Sequence, residues 1–140
     1  MNKANLSRIW EDDTLWAEAA VVGLMSGTSM DGVDAAALMT NGHADLRAGG
    51  DGFSPYPASL QKDLARFMQD IKEAEKPWAV NGALFERGKQ LEETLTQKNA
   101  EAVIKLERST GLQASLVGFH GQTVLHRPDL GWTWQLGSGQ

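Results

Sequence analysis

The sequence contains no cysteine, which excludes a disulfide framework, a thiol nucleophile and a thiolate metal site. It also lacks any apolar run long enough to span a bilayer. The N-terminus has no apolar signal centre: Lys3 and Arg8 are followed by Glu11, Asp12 and Asp13. Positive charge is in short supply. A net charge of −5 and a pI of about 5.1 argue against a general nucleic-acid binder, which needs a basic surface to displace counterions. There are only four prolines, no internal repeat and no low-complexity segment. What remains is an ordinary globular composition, 41% hydrophobic and 22% charged over 140 residues, the length of one domain. A cytoplasmic protein with no membrane or nucleic-acid partner is the expectation.

The chain is organised around Gly23-Leu24-Met25-Ser26-Gly27-Thr28-Ser29-Met30-Asp31-Gly32-Val33-Asp34. Apolar runs flank a connector of Gly, Ser, Thr and Asp, so the pattern reads as two adjacent strands joined by a tight turn. Glycine accepts positive φ, and the short polar side chains hydrogen-bond nearby backbone. Such a turn gathers backbone N–H groups and the hydroxyls of Ser26, Thr28 and Ser29 in one small volume, a cradle for an anion such as phosphate. Asp31 and Asp34 are candidates to hold a hydrated Mg²⁺ beside it, Asp31 the better one and Asp34 equally a brace of the hairpin. The stretch is neither a Walker A loop nor a dinucleotide fingerprint, and most turns of this composition are only turns.

In chain order, residues 1–18 read as a leader, helical or disordered, with Leu6, Ile9, Trp10 and Ala17 able to share one helical face. Strands are expected near Ala19 to Met25, Gly32 to Met39 and Ala44 to Phe53, the last two joined by the hairpin signal Asn41-Gly42. Gly49, Gly50 and Gly52 weaken the end of the third strand. Leu60, Leu64, Phe67, Met68 and Ile71 mark one face of an amphipathic helix. Pro77 suits the first turn of a second helix, whose face carries Val80, Leu84, Leu91, Leu95, Ala102 and Leu106 and which Gly111 ends. Gly88 interrupts that face, either to admit a close neighbour or merely to weaken the helix.

Ser115 to Phe119 is a short strand after a long helical excursion, which implies a parallel return to the sheet. His120-Gly121-Gln122-Thr123 follows its carboxyl end, where ligands bind in open α/β sheets. His120 is a catalytic or sugar-side candidate and equally a structural hydrogen-bonder. Gln122 and Thr123 suit a sugar or a turn cap. Val124-Leu125 begins another strand and Trp132 to Leu136 alternates like a last one, with Trp132 and Trp134 on one side for core packing or sugar stacking. His43 and His126 have no evident partner.

The glycine-rich block, with Gly118-Phe119-His120-Gly121-Gln122-Thr123-Val124 and Trp134-Gln135-Leu136-Gly137, resembles anhydro-N-acetylmuramic acid kinase from about residue 20 onward. The resemblance implies the superfamily of sugar kinases, actin and heat-shock ATPases. It implies an α/β fold for residues 19–140: a ribonuclease-H-like N-terminal lobe, truncated at its C-terminal end, with a three-strand antiparallel meander followed by two helices and further strands. Nucleotide binding falls on Gly27, Thr28, Ser29, Met30, Asp31, Gly32, Val33 and Asp34; sugar binding on His120, Gly121, Gln122 and Thr123; and Mg²⁺ approaches Asp31 through water. The implied reaction uses ATP and water to open the 1,6-anhydro ring and phosphorylate O6, giving N-acetylmuramic acid 6-phosphate in murein recycling. The family's catalytic base is expected beyond residue 140, so the chain alone is expected to be inactive; a homodimer is open. The alternative is a non-catalytic nucleotide- or partner-binding lobe from a truncated gene.

Overall fold

A computed structural model describes residues 19–42, 46–74 and 82–139. Among the described residues six strands and two helices follow in order: β1 (Ala19–Met25), β2 (Gly32–Thr40), β3 (Leu46–Pro55), α1 (Ala58–Glu73), α2 (Ala83–Thr110), β4 (Ala114–Gly118), β5 (Gln122–Arg127) and β6 (Trp132–Leu136). A 3₁₀ turn, Pro128–Leu130, joins the last two. The main sheet has the order β3-β2-β1-β4, and β5 and β6 form a separate two-stranded sheet.

The first three strands form the expected antiparallel meander. β4 returns parallel to β1, with Gly23 opposite Gly118. The long α2 is the crossover that makes this direction possible. Alternation along β1 and β2 sets the two faces of the sheet. Ala20, Val22 and Leu24 of β1 and Val33, Ala35 and Ala37 of β2 are buried. They form one core with Leu64, Phe67 and Ile71 of α1 and with Leu91, Leu95, Ala102 and Leu106 of α2. Full burial of a side chain such as Leu64 or Phe67, both 0% exposed, contributes roughly 1.5–3 kcal/mol. The opposite face is open and displays Met25, Leu38, Phe53 and Leu116.

The glycines of β3 do not end the strand, which runs on to Pro55 with a register shift opposite Ala37 and Leu38. They make room for the end of the second helix. A Cβ on Gly49 would lie 2.8 Å from Leu112, and one on Gly50 would lie 2.7 Å from Thr110. Gly111, at φ 74°, ends α2 as expected. Gly88 serves as a point of close approach: Trp134 of β6 lies over it, edge-on to Phe67 at 5.4 Å between ring centroids. Trp134 therefore packs the core. The residues Pro77, Val80 and His43, and the leader 1–18, lie outside the described residues.

Candidate functional site

The turn after β1 and the corner after β4 emerge from neighbouring parallel strands at the same end of the sheet. Ligands bind at such carboxyl ends. In the turn, the Met30 N–H donates to the Gly27 carbonyl at 3.2 Å. Met30 itself has φ 53°, a left-handed conformation that costs a non-glycine residue about 1–2 kcal/mol. The Ser29 hydroxyl donates to Asp31 Oδ1 at 2.6 Å. Thr28, Ser29, Asp31 and Asp34 are exposed, Gly27 and Met30 are half-buried, and Gly32 and Val33 are buried. The cradle therefore faces solvent, while Val33 belongs to the core and offers a ligand only its backbone. Gly32 is a packing requirement: a Cβ there would lie 2.6 Å from the Phe53 ring and 2.5 Å from the Ser54 carbonyl.

The floor of the turn is a polar network that sequence reading missed. Ser26 Oγ and the Tyr56 hydroxyl share a hydrogen bond of 3.0 Å, and both residues are buried. The Tyr56 N–H donates to the Asp31 carbonyl at 2.8 Å, and the Tyr56 carbonyl accepts from Gln61 Nε2 at 3.0 Å. Burial raises the Tyr56 phenol above its ordinary value of 10.0; hydrogen bonds to Ser26 and Asn99 partly offset this, and the Asp31 carboxylate adds to the rise. Two signals were available in the chain. Tyr56 is the sole tyrosine and stands between Pro55 and Pro57, and Asn99 falls on the apolar stripe of α2 between Leu95 and Ala102.

At the corner, His120 is exposed, Thr123 half-buried, and Gly121 and Gln122 buried. Gln122 Nε2 donates to the Gly27 carbonyl at 3.3 Å, so the two blocks meet although 95 positions separate them. His126 hydrogen-bonds Thr133 across the β5–β6 pair at 2.8 Å, which supplies the partner not evident from sequence. Trp132 and Trp134 stay together, 5.9 Å apart.

Among the described residues no three His, Asp or Glu side chains cluster to cage a metal. Mg²⁺ rarely needs such a cage, because it keeps several waters and binds through one or two carboxylates plus substrate phosphates. An exposed Asp31 at the edge of the hydroxyl-bearing turn fits that donor set.

The family model for anhydro-N-acetylmuramic acid kinase matches residues 19–140. The chain belongs to the anhydro-N-acetylmuramic acid kinase family. Among curated relatives, the anhydro-N-acetylmuramic acid kinase of Rhizorhabdus wittichii is 39% identical over 123 residues, covering 84% of this chain and 32% of the relative. That of Zymomonas mobilis is 40% identical over 125 residues, 84% of this chain and 33% of the relative. That of Rhodospirillum rubrum is 36% identical over 128 residues, 91% of this chain and 31% of the relative. The chain thus spans about a third of the length of these kinases. Both site blocks, the turn and the corner, lie inside the matched span. No described helix is long and apolar enough to cross a membrane.

Proposed function

We propose that this chain supplies the nucleotide-gripping wall of an ATP-dependent amino-sugar kinase of the cytoplasm. The reaction consumes 1,6-anhydro-N-acetylmuramic acid, water and ATP. Water adds at the anomeric carbon, the 1,6-anhydro bond breaks, and the freed 6-oxygen takes the terminal phosphoryl of ATP. The products are N-acetylmuramic acid 6-phosphate and ADP, a step of murein recycling.

The observation that carries this reading is the exposed turn Gly27–Asp31, inside the family match and at the carboxyl end of β1. Phosphoryl transfer is mostly positioning and electrostatic stabilisation of phosphate oxygens. The Thr28 hydroxyl and the turn's N–H groups other than that of Met30 provide donors for those oxygens, while the Ser29 hydroxyl orients Asp31. Gly32, Val33 and Asp34 continue the nucleotide-binding stretch as its supporting backbone. Mg²⁺ supplies charge neutralisation on the phosphates when bound, with Asp31 as its contact through water. His120 and Thr123 present side chains on the sugar side of the corner, with Gly121 and Gln122 as its backbone. The base that activates water is assigned to the part of the family's length that this chain does not span.

Titration of the 140-residue chain with Mg·ATP by calorimetry tests the reading. Binding is expected, and it is expected to disappear in the double variant Thr28→Ala, Asp31→Ala. Equal affinity in the double variant would remove the turn from the nucleotide site. Turnover of the anhydro sugar by this chain alone would refute the assignment of the base elsewhere.

A further inference from the structure

Gln122 opens β5 and is 3% exposed. Its Nε2 donates to two carbonyls, those of Gly27 at 3.3 Å and Thr123 at 3.4 Å, which fixes which end of the amide faces them. Its Oε1 is buried with no hydrogen-bond partner among the described residues. The amide's protein hydrogen bonds are thus made by its donor end, which is directed onto backbone carbonyls.

The donor end grips the first carbonyl of the exposed turn. That carbonyl also accepts from Met30, whose left-handed backbone persists only where the surroundings over-determine it. The far end of the turn is tied down separately, by the Tyr56 N–H on the Asp31 carbonyl. The strand that carries Gln122 is firmly seated. Gln122 pairs with Leu136, and Gly121, at φ 73°, lies so close to the Leu136 carbonyl that a Cβ would collide with it. The neighbouring Gly137 N–H donates to Glu92 of α2 at 3.0 Å. A rigid platform therefore holds a solvent-facing turn through one side chain.

We propose that Gln122 is a positioning residue: from the corner that carries His120 it fixes the Gly27 carbonyl, and through it the Met30 turn assigned above to phosphate. This rests on the phosphate-binding reading above and goes beyond it, because it makes Gln122 act on the turn rather than on the sugar.

Two variants of the 140-residue chain test it. Gln122→Met keeps the volume and removes the donor. Gln122→Glu keeps the shape, and its carboxyl donates an O–H to Gly27 only when protonated. In the ligand-free chain, Gln122→Met is expected to speed hydrogen exchange at the Met30 amide about tenfold while the Leu95 amide in the core is unchanged. Mg·ATP binding should weaken about fivefold, the effect of one lost hydrogen bond. The Gln122→Glu defect should shrink as pH falls through the carboxyl range, while the Gln122→Met defect stays constant; a side chain that only fills space would give no such profile. Unchanged Met30 exchange in Gln122→Met, or a Gln122→Glu defect independent of pH, overturns the proposal. A wild-type chain that binds no Mg·ATP, yet shows faster Met30 exchange on substitution, refutes the phosphate reading and upholds the role of Gln122 on the turn. If Gln122→Met does not fold, Gln122→Glu above the carboxyl range, where its donor is lost, carries the same exchange test, with exchange returning toward wild type as pH falls.

Discussion

A Cβ placed on Gly88 would sit 2.6 Å from Trp134 Cζ2 and 3.2 Å from the Phe67 ring. The absence of a side chain in the second turn of α2 thus makes the seat for the β6 indole. Phe85 stacks on the same indole at 6.4 Å, so the ring has little freedom to withdraw. Gly88→Ala should therefore destabilise by about 1–3 kcal/mol through overpacking, although alanine gains up to about 1 kcal/mol in intrinsic helix preference. Thermal unfolding checks this. Gly23→Ala is the control: nothing lies within 4 Å of its Cβ position, and no loss of stability is expected.

Tyr56 gives a pH signature. Its phenol titrates above the ordinary value of 10.0 when folded, chiefly because it is buried. Above pH 10 the unfolded chain releases this proton while the folded chain keeps it. The stabilisation is thus complete below the unfolded value and is lost as pH rises toward the folded one. Tyr56→Phe should lower stability at neutral pH by about 1 kcal/mol, through the lost Ser26 bond, and should flatten the alkaline decline. Denaturant melts at pH 7 and above pH 10 measure both effects. An equally steep alkaline decline in Tyr56→Phe would place its source elsewhere.

Single substitutions in the turn separate hydroxyl from carboxylate. Thr28→Ala should weaken Mg·ATP by about tenfold, as expected for one hydrogen bond to a charged group. Asp31→Asn should instead abolish most of the difference in affinity between Mg·ATP and metal-free ATP. Calorimetry with and without Mg²⁺ reads the two cases. A Thr28→Ala loss confined to the metal-bound form would reverse these assignments.

The open face of the main sheet carries Met25, Leu38 and Leu116 at 57%, 45% and 60% exposure. Leu38 and Leu116 flank Val21 in one row across the sheet, and apolar exposure of this kind favours association. Light scattering should show the isolated chain self-associating as concentration rises. Leu38→Lys with Leu116→Lys should return it to monomer without lowering its melting temperature. A wild-type monomer throughout the concentration range would contradict this.

Local chemistry made much of the fold legible. The far bound of β1, at Met25, could be read because an apolar run meets the small-residue turn Ser26-Gly27-Thr28. The direction of β4 followed from the length of the helical excursion before it. The glycines of β3 misled, because their purpose is to clear space for Leu112 and Thr110, and that pressure comes from residues some sixty positions away. The Ser26–Tyr56 pair was hidden for a related reason: neither residue carries a periodic signal, and their contact exists only once β3 pairs with β2 and sets Pro55 opposite Gly32. Gln122 stood out as polar, but only the three-dimensional arrangement shows its donor turned onto Gly27.

The parallel pairing of β4 with β1 has a kinetic corollary. The meander closes through short loops, but Gly27 meets Gln122 only after the whole helical excursion has brought the chain back. Contacts of such long sequence separation form slowly, because a large loop must be closed before they stabilise anything. During synthesis the glycine-rich turn leaves the ribosome long before its tether does. Its working shape is thus acquired only after α2 and β4 are in place, and a chain arrested in α2 would have the loop without the brace.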